Sequence, residues 1–390
     1  MTSGPKRFGA FLAPFHALNE SPTQAIHRDM ELAEWLDDLG FAELWVGEHH
    51  SGGFEIIPAP EVFIAAAAER TKHIRLGTGV KSLPFYNPLI VANEMALLDH
   101  MTRGRVMLGC GSGALPSDSH QMGIHPSEQR KRLEESLAAI EPLLRGEVVS
   151  METDWFTLRE ARVQTGCYTK PRMEMAVTSI ISPTGVIAAG KHGLGVLTMG
   201  GVSDNLLERY HANWGICEQV AAEHGNRVDR ANWRVAMMIH CAESKKQAEA
   251  DLAFGLDAWA RYATEVLPQS PIPVGTKDPL AHLRDNKLAV FGTPDDVIAD
   301  IERVSEGVGG FGTVLVFATN WADWAATKRS YELISRYVMP HFTRSRQGRI
   351  DSYDWSAEHH DEFAASYGNA TQASREAWEK KKSAKDKAAE

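Results

Sequence analysis

Short apolar runs alternate along this chain with longer segments in which apolar residues recur every three or four positions, a strand-helix alternation that begins at residue 7 and continues past residue 310. Phe8-Gly9-Ala10-Phe11-Leu12 reads as the first strand. Pro22 to Leu39 then sets Ile26, Met30, Leu32, Ala33, Leu36 and Leu39 at helical spacing, and Gly40 stops it. Phe41 to Gly47 is the second strand, Pro60 to Arg70 a helix, and Ile74 to Val80 the third strand. Asn87 to His100 is helical, Arg105 to Gly109 extended, and Ser127 to Leu144 a strongly amphipathic helix closed by Gly146. Met175 to Ser179, Gly195 to Met199, Val235 to Cys241 and Thr313 to Ala318 supply the remaining strands, with helical segments between them. About eight strand-helix units predict an α/β fold of the (β/α)8 TIM-barrel type, one closed ring rather than two open sheets.

Two stretches depart from the repeat. Leu267 to Lys287 is proline-rich and breaks helical periodicity, which predicts a long loop before the last strand. From about Thr343 the chain turns polar and ends near Lys380-Lys381-Lys382, so residues 7–342 are expected to form the barrel and residues 343–390 a solvated extension or oligomer arm.

Hydrophobic residues at 43% and charged residues at 24% are ordinary globular values that leave ample core. A net charge of -10 argues against nucleic acid or an anionic membrane as the main partner, since both need a basic face. No apolar stretch approaches the roughly 20 residues that span a bilayer, and the first residues do not read as a signal peptide. The four cysteines lack any CxxC spacing, so neither a disulfide framework nor a zinc site is expected, and a reducing cytoplasm is the natural compartment.

The candidate chemistry lies at strand ends. The second strand finishes in Glu48-His49-His50, and barrels hold catalytic groups at the carboxyl ends of their strands. Side chains alternate along a strand, so Glu48 and His50 should face one way and His49 the other. Imidazole suits proton transfer near neutral pH, and a nearby carboxylate would fix its tautomer and raise its pKa. The plain alternative is that the pair caps the strand by bonding to backbone. Adjacent histidines lack the His-x-His spacing that puts two ligands on one face, so no metal is expected. Gly109-Cys110-Gly111-Ser112-Gly113-Ala114 formally matches a dinucleotide fingerprint, but Pro116 follows. A glycine-rich strand end that admits a phosphate or planar ring is the better reading. Ser182-Pro183-Thr184 precedes a helix, and hydroxyls with free N–H groups at a helix start form a phosphate cradle or a simple cap.

Taken in order, these motifs resemble the bacterial-luciferase-like family of two-component flavin monooxygenases over residues 7–342. The likeness rests on Phe8-Gly9-x-Phe11, on Trp45 to His50, on Leu76-Gly77-Thr78-Gly79-Val80 and on Leu98 to Arg105. It continues with Ser182-Pro183-Thr184-Gly185, Gly292-Thr293-Pro294 and Val338-Met339-Pro340-His341-Phe342. Gly9 to Pro14 and Gly109 to Gly113 look most like the limonene 1,2-monooxygenase type. The resemblance implies reduced flavin, FMN or FAD, bound at the carboxyl ends of the strands, and O2 as co-substrate forming a C4a-(hydro)peroxyflavin. It implies His49 as the catalytic histidine, assisted by Glu48 or His50, and a non-prolyl cis peptide at Gly79-Val80 beside the flavin ring. The phosphate site maps to Ser112, Gly113, Ser182 and Thr184. The luciferases carry arginine where Ser112 stands and a reactive cysteine where Gly111 stands, so anchoring here must rely on hydroxyls, backbone or a basic group elsewhere. Leu267 to Lys287 falls where the luciferase has its mobile loop. His16, Phe54 and Trp321 would line the side facing a small apolar substrate. A separate NAD(P)H:flavin reductase would supply the flavin, and the chain would form a homodimer or homotetramer. An F420-dependent dehydrogenase on the same barrel, a metal-dependent barrel hydrolase and a non-catalytic flavin-binding protein are the alternatives left open.

Overall fold

Eight parallel strands close into a ring in the computed structural model, which describes residues 4–388. We number them β1 (Arg7–Leu12), β2 (Glu43–Val46), β3 (Arg75–Thr78), β4 (Val106–Gly111), β5 (Glu174–Ser179), β6 (Gly195–Thr198), β7 (Trp233–Cys241) and β8 (Thr313–Ala318). Each pairs with the next, and β8 pairs with β1 over Arg7↔Thr313 to Leu12↔Ala318, which closes the ring. All eight coincide with the strands read from the sequence, because parallel strands buried on both faces are near-continuous apolar runs.

The helices between strands bury one stripe against the ring and end where the sequence says they should. Gly40 and Gly146 lie at φ +78° and +89°, a conformation that stops a helix cheaply only in glycine. The side chains between the strands and the helices form one large core, while Phe11, Trp45, Met107, Ala176, Leu197, Ala236 and Leu315 fill the ring's interior. Trp45 fits there because its neighbours lack bulk: a Cβ on Gly77 would lie 2.5 Å from its ring and one on Gly109 3.0 Å.

Below this layer the ring holds charge. Arg234 of β7, with no exposed surface, donates to both carboxylate oxygens of Glu43 on β2 at 2.9 and 3.0 Å and to Glu174 on β5. Trp45 Nε1 donates to Glu43 at 2.9 Å, and Arg75 of β3 donates to Glu174 at 2.6 Å. Burial alone would raise the Glu174 carboxyl, but Arg234 and Arg75 hold it below the usual range.

Three features lie outside the simple repeat. An antiparallel hairpin, Val149–Glu152 with Thr157–Ala161, stands between β4 and β5. The expected loop at 267–287 contains the helix Pro279–Asp285, started by Asp278, whose side chain accepts from the Ala281 N–H at 2.9 Å. A further strand, Ala289–Gly292, pairs with the end of β7, and the helix Pro294–Val308 follows before β8. The prolines obscured this order by breaking periodicity while still permitting a helix start at Pro279. The stretch is packed: Ile272 and Leu283 are buried beside Leu252, Leu256, Trp259 and Tyr262.

The chain divides into two compact units, one ending at Thr343 and one beginning at Arg344. The second is helical, Gln347–Glu358 and His360–Lys387, with almost every residue exposed. Among the described residues no helix is long and apolar enough to cross a membrane.

Removing Glu43 strands the Arg234 charge inside the ring. Glu43→Ala is expected to lower unfolding stability by about 3–5 kcal/mol, measured as a shift in the urea midpoint at constant slope.

Candidate active site

At the carboxyl rim of the ring three adjoining strand ends carry glycine, and side chains of Phe11, Pro14, Glu55, Val80 and Thr178 pack close to the room this leaves. Inward-facing positions on adjoining strands are Gly47 after β2, Gly79 after β3 and Gly111 at the end of β4. This sector is also where the ladder slips. Gly77 pairs with Met107 and Lys81 with Cys110, so the β3 side carries one residue more than β4 in that interval. Thr78 bridges the gap: its hydroxyl accepts from the Gly109 N–H at 3.0 Å and donates to the Gly109 carbonyl at 2.8 Å. The Gly79-Val80 peptide within this interval is cis. A Cβ at Gly109 would lie 2.1 Å from the Thr78 carbonyl oxygen, and one at Gly111 2.5 Å from Val80. Glycine is therefore required for the strands to approach here.

The Glu48-His49-His50 triplet divides as strand alternation requires. His49 Nδ1 lies 2.9 Å from Asp118 Oδ2, and its Nε2 lies 3.5 Å from Glu55 Oε2. Asp118 comes from the short helix Pro116–Gln121 beyond β4, and it also accepts from the His50 N–H at 3.0 Å and from the Ser51 hydroxyl. Glu48 and His50 belong to another group. Glu48 Oε1 accepts from the Ser82 N–H at 3.2 Å and lies 3.4 Å from His50 Nε2, while Glu48 Oε2 makes no hydrogen bond and rests 3.6 Å from Lys81 Nζ. Lys81 is buried, paired with Glu61 at 2.9 Å and seated 3.6 Å over the Tyr86 ring. Burial opposes charge on His49, but Glu55 and Asp118 outweigh it and raise its pKa above the ordinary 6.5. Asp118, though buried, is held below its ordinary range by its bonds from His49 and Ser51.

Across the rim, Ser112 and Gly113 follow β4, and Ser182 and Thr184 follow the neighbouring β5. Gly113 has φ +87°, and the Ser112 carbonyl accepts from Gln129 at 2.9 Å. The Ser182 and Thr184 hydroxyls lie 2.8 Å apart at the start of the helix Thr184–His192, and the Thr184 N–H donates to Ser182 at 3.3 Å. No arginine or lysine among the described residues bonds to these hydroxyls.

Phe54 and Trp321 lie in an apolar cluster with Phe15, Trp259, Tyr262 and Ile272. Phe15 and Phe54 stack at 5.2 Å, Tyr262 packs against both, and Trp259 meets Trp321 edge-on at 5.2 Å. Trp321 Nε1 is buried with no hydrogen-bond partner. His16 is buried and held on both nitrogens, by Asp29 at 2.9 Å and by Arg28 at 2.9 Å. Among the described residues no group of three or more His, Cys, Asp or Glu side chains could hold a metal.

Three residues escaped the sequence reading: Asp118, Glu55 and Tyr262. Pro116 followed by Ser117-Asp118 was a helix-start signal beside the glycine motif. Nothing local marked Glu55 or Tyr262, which come together only through the fold.

A closed parallel barrel with glycines at three adjoining strand ends and a carboxylate-clamped imidazole beside them has the layout of an α/β-barrel enzyme. The chain belongs to the luciferase-like monooxygenase family, whose profile matches residues 6–309. It is 46% identical over 359 residues to 4-hydroxyprotoasukamycin monooxygenase of Streptomyces nodosus subsp. asukaensis, covering 90% of this chain and 96% of that one. It is 43% identical over 347 residues to limonene 1,2-monooxygenase of Rhodococcus erythropolis, covering 89% of each. Among solved structures it resembles the oxygenating constituent of 3,6-diketocamphane monooxygenase from Pseudomonas putida, a type II Baeyer-Villiger enzyme in complex with FMN. There the TM-score is 0.72 at 26% identity, over 86% of this chain and 98% of that one.

His49 has a folded pKa above its unfolded value, so its pairs with Asp118 and Glu55 stabilise the fold fully below pH 6.5. That contribution is lost as pH rises through the raised value. The urea midpoint of the parent should therefore fall between neutral and alkaline pH by more than that of His49→Gln, and parallel curves would refute the clamp.

Proposed function

We propose that this chain is the oxygenase component of a two-component flavin monooxygenase, using reduced flavin, FMN or FAD, and O2 to place one oxygen atom into a small apolar substrate. The observation that carries this is His49, clamped by Asp118 and Glu55, on the same strand end as Gly47 and beside the glycines Gly79 and Gly111 of the neighbouring strands. The two relatives named above bear monooxygenase names, which favours oxygen transfer over F420-dependent hydride transfer.

The residues present fit a flavin. The glycine sector admits a planar ring against backbone, with Val80 as its side wall. Ser112, Ser182 and Thr184 offer hydroxyls to a phosphate, aided by the helix start at Thr184, whose own N–H is taken by Ser182. Bound flavin would supply the oxygen-activating chemistry, and the protein's part is orientation, dryness and proton placement. His49, its Nδ1 fixed by Asp118, keeps a proton available at Nε2. Glu48 and His50 set the course of the strand end through Lys81 and Ser82 rather than by touching His49. The cluster of Phe54, Trp321 and the 252–288 segment keeps water from the rim, and the unpartnered Trp321 Nε1 can donate to an oxygen on an otherwise apolar substrate. His16, bound to Asp29 and Arg28, backs the substrate side.

A separate NAD(P)H:flavin reductase would supply the reduced cofactor. Four buried free cysteines suit a reducing cytoplasm.

Residues 7–342 would carry catalysis, and the extension would join copies into a homodimer or homotetramer. Along His360–Lys387, Phe363, Tyr367, Ala370, Ser374, Ala377, Lys381 and Ala384 recur at alternating spacings of four and three, the seam of a coiled coil. Asp361 and Glu362 lie at one end, and Lys380, Lys381, Lys382 and Lys385 at the other. Antiparallel pairing of two copies brings opposite charges and bulky-against-small seam positions together.

His49→Ala should lower substrate turnover with reduced flavin and O2 by on the order of 10²–10⁴-fold, while the flavin Kd changes little. Turnover at the parent rate would remove His49 from the mechanism. For the extension, oxidation of Tyr367→Cys/Ala377→Cys should cross-link copies while Tyr367→Cys alone does not; cross-linking by the single variant would mean parallel pairing.

A further inference from the structure

Tyr262 lies on the helix Leu256–Glu265, in the segment between β7 and β8 that covers the Phe15 and Phe54 loops. Its ring packs against Phe15 at 5.4 Å and Phe54 at 5.3 Å, and its hydroxyl donates to Glu55 Oε1 at 2.5 Å. The other oxygen of that carboxylate, Oε2, is the one 3.5 Å from His49 Nε2. Glu55 is itself held by an antiparallel bridge between its backbone and Phe15. One carboxylate therefore spans two elements far apart in sequence, with the covering segment on one oxygen and the candidate proton carrier on the other.

We propose that Tyr262 is a positioning residue that, through Glu55, makes the proton affinity of His49 depend on the covering segment being in place. This rests on reading His49 as the group that handles protons at the rim. Burial and the neighbouring Glu55 carboxylate hold the Tyr262 hydroxyl firmly protonated, so it serves as a donor throughout the working pH range. An O–H donor on one oxygen fixes the rotamer of the carboxylate and supports its charge, which keeps the other oxygen aimed at the imidazole. Without the donor, Glu55 is free to turn to solvent, and its attraction for the imidazolium falls. The remaining charges around His49 are Asp118 from the Pro116–Gln121 helix, which bonds the opposite ring nitrogen, and Glu48 at the same strand end, which also favours the charged ring. Neither makes a hydrogen bond to Tyr262, although the Asp118 charge reaches its hydroxyl. With Tyr262 in place, His49 keeps both Asp118 and the fixed Glu55, and its proton is held more tightly than Asp118 alone would hold it.

The test is the titration of the His49 ring by NMR in the full chain without flavin, its signal assigned by its absence in His49→Gln. Glu55→Gln should lower the midpoint by about one unit. Tyr262→Phe keeps the ring packed on Phe15 and Phe54, and it should lower the midpoint in the same direction by less. The double variant should match Glu55→Gln alone, since the effect of Tyr262 passes through that carboxylate. A Tyr262→Phe midpoint equal to the parent's, or a double variant lower than Glu55→Gln, would overturn the proposal. Asp118→Asn should lower the midpoint further in either background, which shows that the ring reports its neighbours. Loss of this coupling leaves the His49→Ala turnover result untouched, and parent turnover in His49→Ala leaves the titration coupling untouched, so the two ideas fail separately.

Discussion

Arg234 sits inside the ring with no exposed surface, and a lone guanidinium there would cost several kcal/mol in lost hydration. Glu43 and Glu174 offset that cost by taking its N–H groups in fixed geometry, and the Glu43 contact is bidentate, which specifies direction as well as charge. These groups come from β7, β2 and β5, strands that are not neighbours, so the cluster ties the ring across its interior rather than along its edge. Apolar residues of similar size can stabilise a protein interior as well as a buried ion pair does, but they would not specify which strands meet.

That constraint sets the layers above it. Glu43 also accepts from Trp45 Nε1, so the indole lies flat across the second layer and occupies the room that Gly77 and Gly109 leave. With the floor sealed by charge and the middle by one large ring, the rim need not be filled to keep the barrel closed. Gly47, Gly79 and Gly111 can remain bare there, and Thr78 replaces the missing ladder bonds with its hydroxyl. The charged end supports the fold, and the opposite rim is where barrels of this kind place their chemistry.

The ring of strands was legible because each strand is a short apolar run between clear stops, and so was the division of Glu48-His49-His50, because side chains alternate along any strand. Less legible were features fixed by contacts distant in sequence. The Val149–Glu152 hairpin lies outside the ring on strands of four and five residues, too short a run to stand out although Val149 and Met151 alternate with exposed Ser150 and Glu152. The 267–287 stretch reads as loop from its prolines, yet Ile272 and Leu283 bury it against Trp259 and Tyr262, a contact no local window shows. The triplet suggested that Glu48 would serve His49. Glu48 does add charge that favours the imidazolium, but its oxygens lie against Ser82, His50 and Lys81, and the carboxylates that contact the imidazole come from residues 55 and 118. Neither substitution of partner could be read without knowing which loops share the rim.

His49 is pulled both ways by its surroundings: burial favours the neutral ring, while the carboxylates of Glu55, Asp118 and, less, Glu48 favour the imidazolium. Such a balance is sensitive where a group in water would not be, because the carboxylates act at short range in a partly dry setting. Asp118 is held by the Ser51 hydroxyl and the His50 N–H, all close in the fold to the strand end itself, so its share is constant. Glu55 is held in part by Tyr262, from a segment joined to the rim by aromatic packing rather than by a strand ladder. The fixed partner therefore sets the tautomer, and the conditional partner sets how tightly the proton is kept.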